Sequence, residues 1–141
     1  QADEIRYTGV RYARAAKFHT DTKDVSKKIP LHAVESLTDN LMSGQQVICV
    51  DLVEGAIPLP EFEHPENAIY IFGPEDGTIA QDIINMADAV VYVPTVGCMN
   101  LAASVNVLLY DRLAKAKNIL LGDELIKRSR DTNNKVKVKA N

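Results

Sequence analysis

Along the first hundred residues the apolar positions fall in short runs, each closed by glycine, proline or a polar cluster. After Asn100 they recur instead at spacings of three and four. Short runs with such boundaries read as strands, and the second spacing reads as an amphipathic helix. Residues 4–8 are therefore a short strand ended by Gly9. Residues 10–28 are polar and basic with no clean period, an irregular or partly helical excursion. Residues 29–34 form a strand, with Pro30 confining it to an edge or marking its start. Residues 35–43 read as a short helix, with Ser36 as N-cap and Gly44 just past its end. Residues 46–52 are almost continuously apolar, as expected of a central parallel strand.

Residues 54–67 hold three prolines and read as a loop. Residues 68–72 and 89–93 are further buried strands, rich in β-branched and aromatic side chains. Between them, Thr78 is expected to cap a helix over 79–86, with Asp82 in its first turns. From Asn100 to about Lys117, Leu101, Val105, Leu108, Leu109 and Leu113 trace the clearest helix of the chain. Strands alternating with helices imply an α/β fold, a parallel sheet with helices on both faces.

Composition narrows this picture. With 141 residues, 46% apolar and 25% charged, the chain fits one globular domain that needs neither disulfide nor metal for its core. No apolar run is long enough to span a membrane. Cys49 lies in a strand and Cys98 in a turn, and no Cys/His spacing suggests a metal; two thiols of this kind fit a cytoplasmic protein. The charge, −3 overall, is uneven: residues 123–141 carry six basic against three acidic residues. The expected organisation is a domain over 1–122 and a basic tail over 123–141. That tail either attracts a polyanion or is simply a solvated terminus. The chain begins at Gln1 rather than Met, and Ile5-Arg6-Tyr7 follows at once and reads as an internal strand, so the true N-terminus is expected to lie upstream.

The candidate chemistry sits at two strand ends. Ala68–Phe72 runs into Gly73-Pro74-Glu75-Asp76-Gly77, and residues 89–93 run into Pro94-Thr95-Val96-Gly97-Cys98-Met99-Asn100, which opens the long helix. On neighbouring strands, such turns would make a backbone-lined pocket at the carboxyl edge of the sheet, where ligands of open α/β sheets bind. Gly73 and Gly77 let the main chain turn tightly and approach a ligand. Alone, the first turn is equally any strand-to-helix turn. It is neither a dinucleotide fingerprint nor a phosphate loop. Asn100 serves equally as a plain N-cap. Cys98 would need a base, and His19, His32 and His64 are all remote in sequence.

Taken together, the turns resemble the second and third motifs of the SpoU-like branch of the SPOUT RNA methyltransferases, Phe-Gly-Pro-Glu-x-x-Gly and Ile-Pro-Met-x-Gly-x-x-x-Ser-Leu-Asn-Val-Ser. The resemblance covers about residues 46–113 and continues through Val105-Asn106-Val107-Leu108-Leu109-Tyr110-Asp111. It implies a deep C-terminal trefoil knot and a homodimer packed through the long helix. It also implies methyl transfer from S-adenosylmethionine to a ribose 2′-hydroxyl of tRNA or rRNA. The cofactor would rest on Leu52, Val53 and Gly55, then on Phe72, Gly73, Pro74 and Gly77, then on Val93, Pro94, Met99 and Leu101. Glu75 and Asn100 are the polar catalytic candidates, and no metal is implied. The family's Asn-x-x-x-x-x-Arg motif is not found in the sequence; the resemblance implies a place for it upstream of Gln1, with a first strand and helix. Cys98 stands where the family has a serine, and a second serine is replaced by Ala103 or shifted to Ser104. Two other readings fit the residues: a protein of the same fold that binds without catalysing, and an unrelated α/β nucleotide-binding enzyme. For RNA, Arg11, Arg14, Lys27, Lys28 and the tail from Lys127 to Lys139 are the candidate phosphate contacts.

Overall fold

The computed structural model describes residues 2–11, 25–130 and 134–139. Its centre is a four-stranded, wholly parallel sheet of order β4-β6-β3-β5. These strands are β3 (Gln46–Val50), β4 (Ile57–Pro58), β5 (Ala68–Phe72) and β6 (Ala89–Tyr92). A separate parallel pair joins β1 (Ile5–Tyr7) to β2 (Leu31–Ala33). Helices among the described residues include Val25–Lys28, Gln81–Met86, Leu101–Ala114 and Asp123–Ser129.

Successive strand residues point to opposite faces, so β3 feeds two cores. Ile48 and Val50 pack with Leu59, Phe62, Val91 and Leu108 beneath the long helix. Val47 and Cys49 pack with Ile71 and Ile79 on the other face, under the Gln81–Met86 helix and the turn carrying Leu37 and Leu41. This double burial explains why β3 reads as a continuous apolar run. It also makes Cys49 an inert thiol: burial, helped by the nearby Asp51 carboxylate, pushes its pKa up to about 11.

The long helix starts on an Asn100 cap, whose side-chain oxygen accepts the Ala103 amide at 2.8 Å. Leu108 is fully buried against the sheet, whereas Leu109, Tyr110 and Leu113 remain exposed. Apolar residues therefore occupy more of this helix than its own sheet covers.

A polar clamp ties the same helix to residues 59–66. Arg112 donates to the carbonyls of Pro65 (2.7 Å) and Glu66 (2.8 Å) and to the Tyr70 hydroxyl (2.8 Å). Lys115 donates to the carbonyls of Leu59 (2.6 Å) and Phe62 (3.0 Å) and pairs with Asp111 at 2.7 Å. His64 lies inside the clamp, its Nε2 2.9 Å from Asp111 and its Nδ1 2.8 Å from the Tyr70 oxygen. Burial depresses the His64 pKa against the pull of Asp111 and so favours the neutral ring at neutral pH. Asp111 can only accept, so Nε2 carries the proton, Nδ1 accepts from the Tyr70 hydroxyl, and that oxygen in turn accepts from Arg112. Burial works against the Asp111 charge, but hydrogen bonds from Lys115 and His64 outweigh it and hold its carboxyl below the usual range. Burial likewise raises the Tyr70 pKa.

Several local expectations are corrected. No helix forms over 35–43: Ser36 bonds Thr38 across a turn, and Asn40 adopts φ 53°, a left-handed conformation that ends any helix there. The expected strand over 29–34 shortens to Leu31–Ala33, leaving Pro30 outside and its carbonyl bonded to the Ile5 amide. The loop over 54–67 contains β4 and a 3₁₀ turn, Leu59–Glu61. Thr78 caps nothing. The Ile79 amide is held by Asp51 at 2.8 Å, which keeps the chain extended through Ala80 and delays the helix to Gln81.

Candidate functional site at the sheet edge

Parallel strands bring their carboxyl ends to one edge, and the candidate turns meet there. The expected adjacency is corrected: β5 and β6 are not neighbours but flank β3. The end of β3 therefore stands between the two glycine turns, and Asp51 stands there with it.

An open cleft of about 110 Å³ lies over these three ends. From the β3 side it is lined by Val50, Asp51 and Leu52; Val53 and Gly55 lie outside the lining. From β5 come Phe72, Gly73, Pro74, Glu75 and Gly77. From β6 and the helix start come Val93, Met99 and Leu101, while Pro94 and Asn100 stay out. Asn100 is occupied as the helix cap, which fixes the preceding turn rather than facing the cleft. Thr95, Gly97, Cys98 and Ser104 complete the wall. Of the additional residues, Asp51 is the important omission. A lone aspartate at a strand end reads as a solvated boundary, and nothing in its local pattern points inward.

Main chain forms two parts of the wall. A Cβ built at Gly73 would lie 2.5 Å from the Asp51 Oδ2, so no side chain fits while Asp51 stays in place. Gly97 has φ 84°, a region L side chains rarely adopt. At Gly77 a Cβ would meet only Pro74 at 3.4 Å, so the steric demand of this turn falls on Gly73 instead. Both Asp51 oxygens are engaged, Oδ1 by the Leu52 amide and Oδ2 by the Ile79 amide, each at 2.8 Å.

At the rim, Arg11 reaches across to Asp76 at 2.7 Å and holds that carboxyl below its usual range through hydrogen bonding and charge. Arg11 is thus already paired, although both groups are well exposed and such pairs contribute little. Arg14 and His19 lie outside the described residues. The backbone from 123 to 129 forms an exposed helix, in which Lys127 bonds Glu124 at 2.8 Å. Among the described residues, no group of three or more His, Cys, Asp or Glu could hold a metal ion. No helix among them is long and apolar enough to cross a membrane.

The apolar side chains Leu52, Val93, Met99 and Leu101 give the cleft flat, greasy walls. Its polar edge is main chain, with Glu75 at the rim. That donor and acceptor set suits a flat heteroaromatic ring carrying polar edges better than a compact phosphate, since among the described residues no lysine or arginine lines it. The enclosed volume is below the ~300–1,000 Å³ of enclosed small-molecule sites, so a nucleoside would stand partly clear of it.

The family model for the SpoU rRNA Methylase family matches residues 1–110. The crystal structure described as the A. aeolicus TrmH/SpoU tRNA modifying enzyme is similar in fold, with a TM-score of 0.58 at 16% identity, covering 89% of this chain and 70% of that one. None of the curated proteins compared with the chain matches it.

Proposed function

The chain belongs to the SpoU rRNA methylase family, and we propose that it transfers a methyl group from S-adenosylmethionine to a ribose 2′-hydroxyl of tRNA or rRNA. The observation that carries this reading is the cleft where β3, β5 and β6 end together. Leu52, Val93, Met99 and Leu101 would sandwich the adenine, and the main chain at 73–77 and 97–99 would meet its polar edge and the amino-acid end. When bound, the cofactor supplies an activated methyl group. The protein's remaining task is to orient a hydroxyl against it and to take up the proton that leaves. Among the described residues, two carboxylates line the cleft. Asp51 has both oxygens occupied by amides, so Glu75 is the proposed catalytic carboxylate. Asn100 contributes by holding the start of the long helix.

We further infer the family's trefoil knot, with the long helix threading the segment before it, and a homodimer covering Leu109, Tyr110 and Leu113. RNA would be recognised through charge and shape, using the tail from Lys127 to Lys139 together with Lys27 and Lys28. The test is a methyl-transfer assay with radiolabelled S-adenosylmethionine and bulk tRNA or rRNA. The expected result is incorporation that survives alkaline hydrolysis as resistant dinucleotides, because a 2′-O-methyl group blocks strand cleavage there. Glu75→Gln should lose transfer while still binding S-adenosylhomocysteine in calorimetry. Binding without transfer by the unaltered protein, on all RNA tried, would favour a non-catalytic binding protein. Removing residues 127–141 should weaken RNA binding and flatten its salt dependence, with cofactor affinity unchanged.

A further inference from the structure

Asp51 lines the cleft but is given no role by the family resemblance. It follows the last residue of the central strand, stands between the two glycine turns, and uses both carboxylate oxygens on amides. The Oδ1 bond to Leu52 closes the end of β3 on itself. The Oδ2 bond to Ile79 reaches 28 residues along the chain, to the far end of the turn that begins at Gly73. The same Oδ2 fills the space beneath the Gly73 α-carbon. The turn is therefore held at its tail by a hydrogen bond and at its head by contact, both from one carboxylate.

We propose that Asp51 is a positioning residue for methyl transfer: it splints the Gly73–Ile79 turn to the end of β3 and so fixes the main-chain wall on which the cofactor rests. Three observations converge on this. Gly73 is the position in the turn where an added Cβ meets a side chain closer than 3 Å, and that side chain is Asp51. The Ile79 side chain is buried in the core on the face away from the long helix, so the turn's tail is anchored by packing as well as by the bond. The helix beyond begins only at Gln81, because the chain is kept extended up to that point. A charge-assisted bond to a backbone amide is among the stronger kinds, and an asparagine at this position would offer an acceptor oxygen to one of the two amides while turning its NH2 donor toward the other.

The inference rests on the cofactor reading above, and the experiment separates the two. Binding of S-adenosylhomocysteine is measured by calorimetry for the unaltered protein, Asp51→Asn, Gly73→Ala and the double variant. Amide hydrogen exchange is followed at Ile79 and along the β3–β5 ladder. Asp51→Asn is expected to weaken binding about tenfold or more, the scale of one charge-assisted hydrogen bond. Its Ile79 amide should exchange faster, while the amides of Val47 to Val50 stay protected and RNA affinity is unchanged. Gly73→Ala displaces the same carboxylate from above and should give a similar loss. The double variant should then bind no worse than the weaker single one, since both remove one splint. Equal binding by the unaltered protein and Asp51→Asn, or additive losses in the double variant, would overturn the proposal and leave the cofactor reading standing. If the unaltered protein does not bind, the cofactor reading fails. An unchanged Ile79 exchange rate in Asp51→Asn would overturn the splint by itself. Should Asp51→Asn fail to fold, the Gly73→Ala arm carries the same comparison of affinity and exchange.

Discussion

Replacing Tyr70 by Phe removes a single oxygen from the clamp between the long helix and residues 59–66. The ring stays, so no cavity opens and the packing of β5 is kept. Two hydrogen bonds disappear: the one accepted from Arg112 at 2.8 Å and the one given to the His64 Nδ1 at 2.8 Å. The first involves a guanidinium and is worth ~1.5–3 kcal/mol, and the second is a neutral bond worth ~1 kcal/mol. Arg112 keeps its two carbonyl acceptors, which limits its loss. His64 fares worse, because its side chain is only 5% exposed and water has little access to the stranded nitrogen. The expected destabilisation is therefore ~2–4 kcal/mol, a large share of the ~5–15 kcal/mol that holds a typical domain. Urea titration at neutral pH measures it, with the transition midpoint falling and the slope unchanged. A Tyr70→Phe loss below about 0.5 kcal/mol would refute the clamp as a source of stability.

Acidification tests the same cluster. The folded pKa of His64 lies below its ordinary value, so its contribution is fully present above about pH 6.5 and is lost as pH falls through the interval down to the folded value. Asp111 is depressed from the ordinary carboxylate value, so its contribution is lost only at still lower pH. Urea midpoints at about pH 7.5 and 5.5 should differ in the unaltered protein and converge in His64→Gln; a flat profile in the unaltered protein would show that the ring is not held neutral. Leu108→Ala should cost ~2–5 kcal/mol by thermal or urea unfolding, because this side chain is fully buried between helix and sheet. Leu113→Glu should convert a dimer to a monomer in sedimentation at tens of micromolar without unfolding it; a monomer already present in the unaltered protein would remove the dimer from the proposal.

What the sequence made legible follows from what local pattern can encode. β5 was readable to the residue, because five apolar positions between Asn67 and Gly73 leave no other choice. The Leu101–Ala114 helix was readable from its spacing and its Asn100 cap. β4 was not, since two residues including a proline carry no period. The helix expected over 35–43 failed because Leu37 and Leu41, four apart, reach the core from a turn as well as from a helix. At the site, the turns were visible as glycine punctuation, but the order of strands was not. Nothing in the chain says that β3 lies between β5 and β6, and without that order Asp51 has no reason to be noticed.

That strand order also sets a timetable for synthesis. The cleft draws its walls from Asp51, from Gly73 and from Leu101, about 50 residues from first to last. At ~5–20 residues per second, the ribosome needs roughly 3–10 s to add them. During that interval β3 can accept β5 on one side, while its other edge, and the core face meant for Leu108, wait uncovered. No ligand of the cleft can act as a template for folding in that period, because the wall supplied by the third turn has not yet been made. The exposed β3 edge, and not the finished pocket, is then the surface on which a nascent chain is open to chaperones or to misassembly.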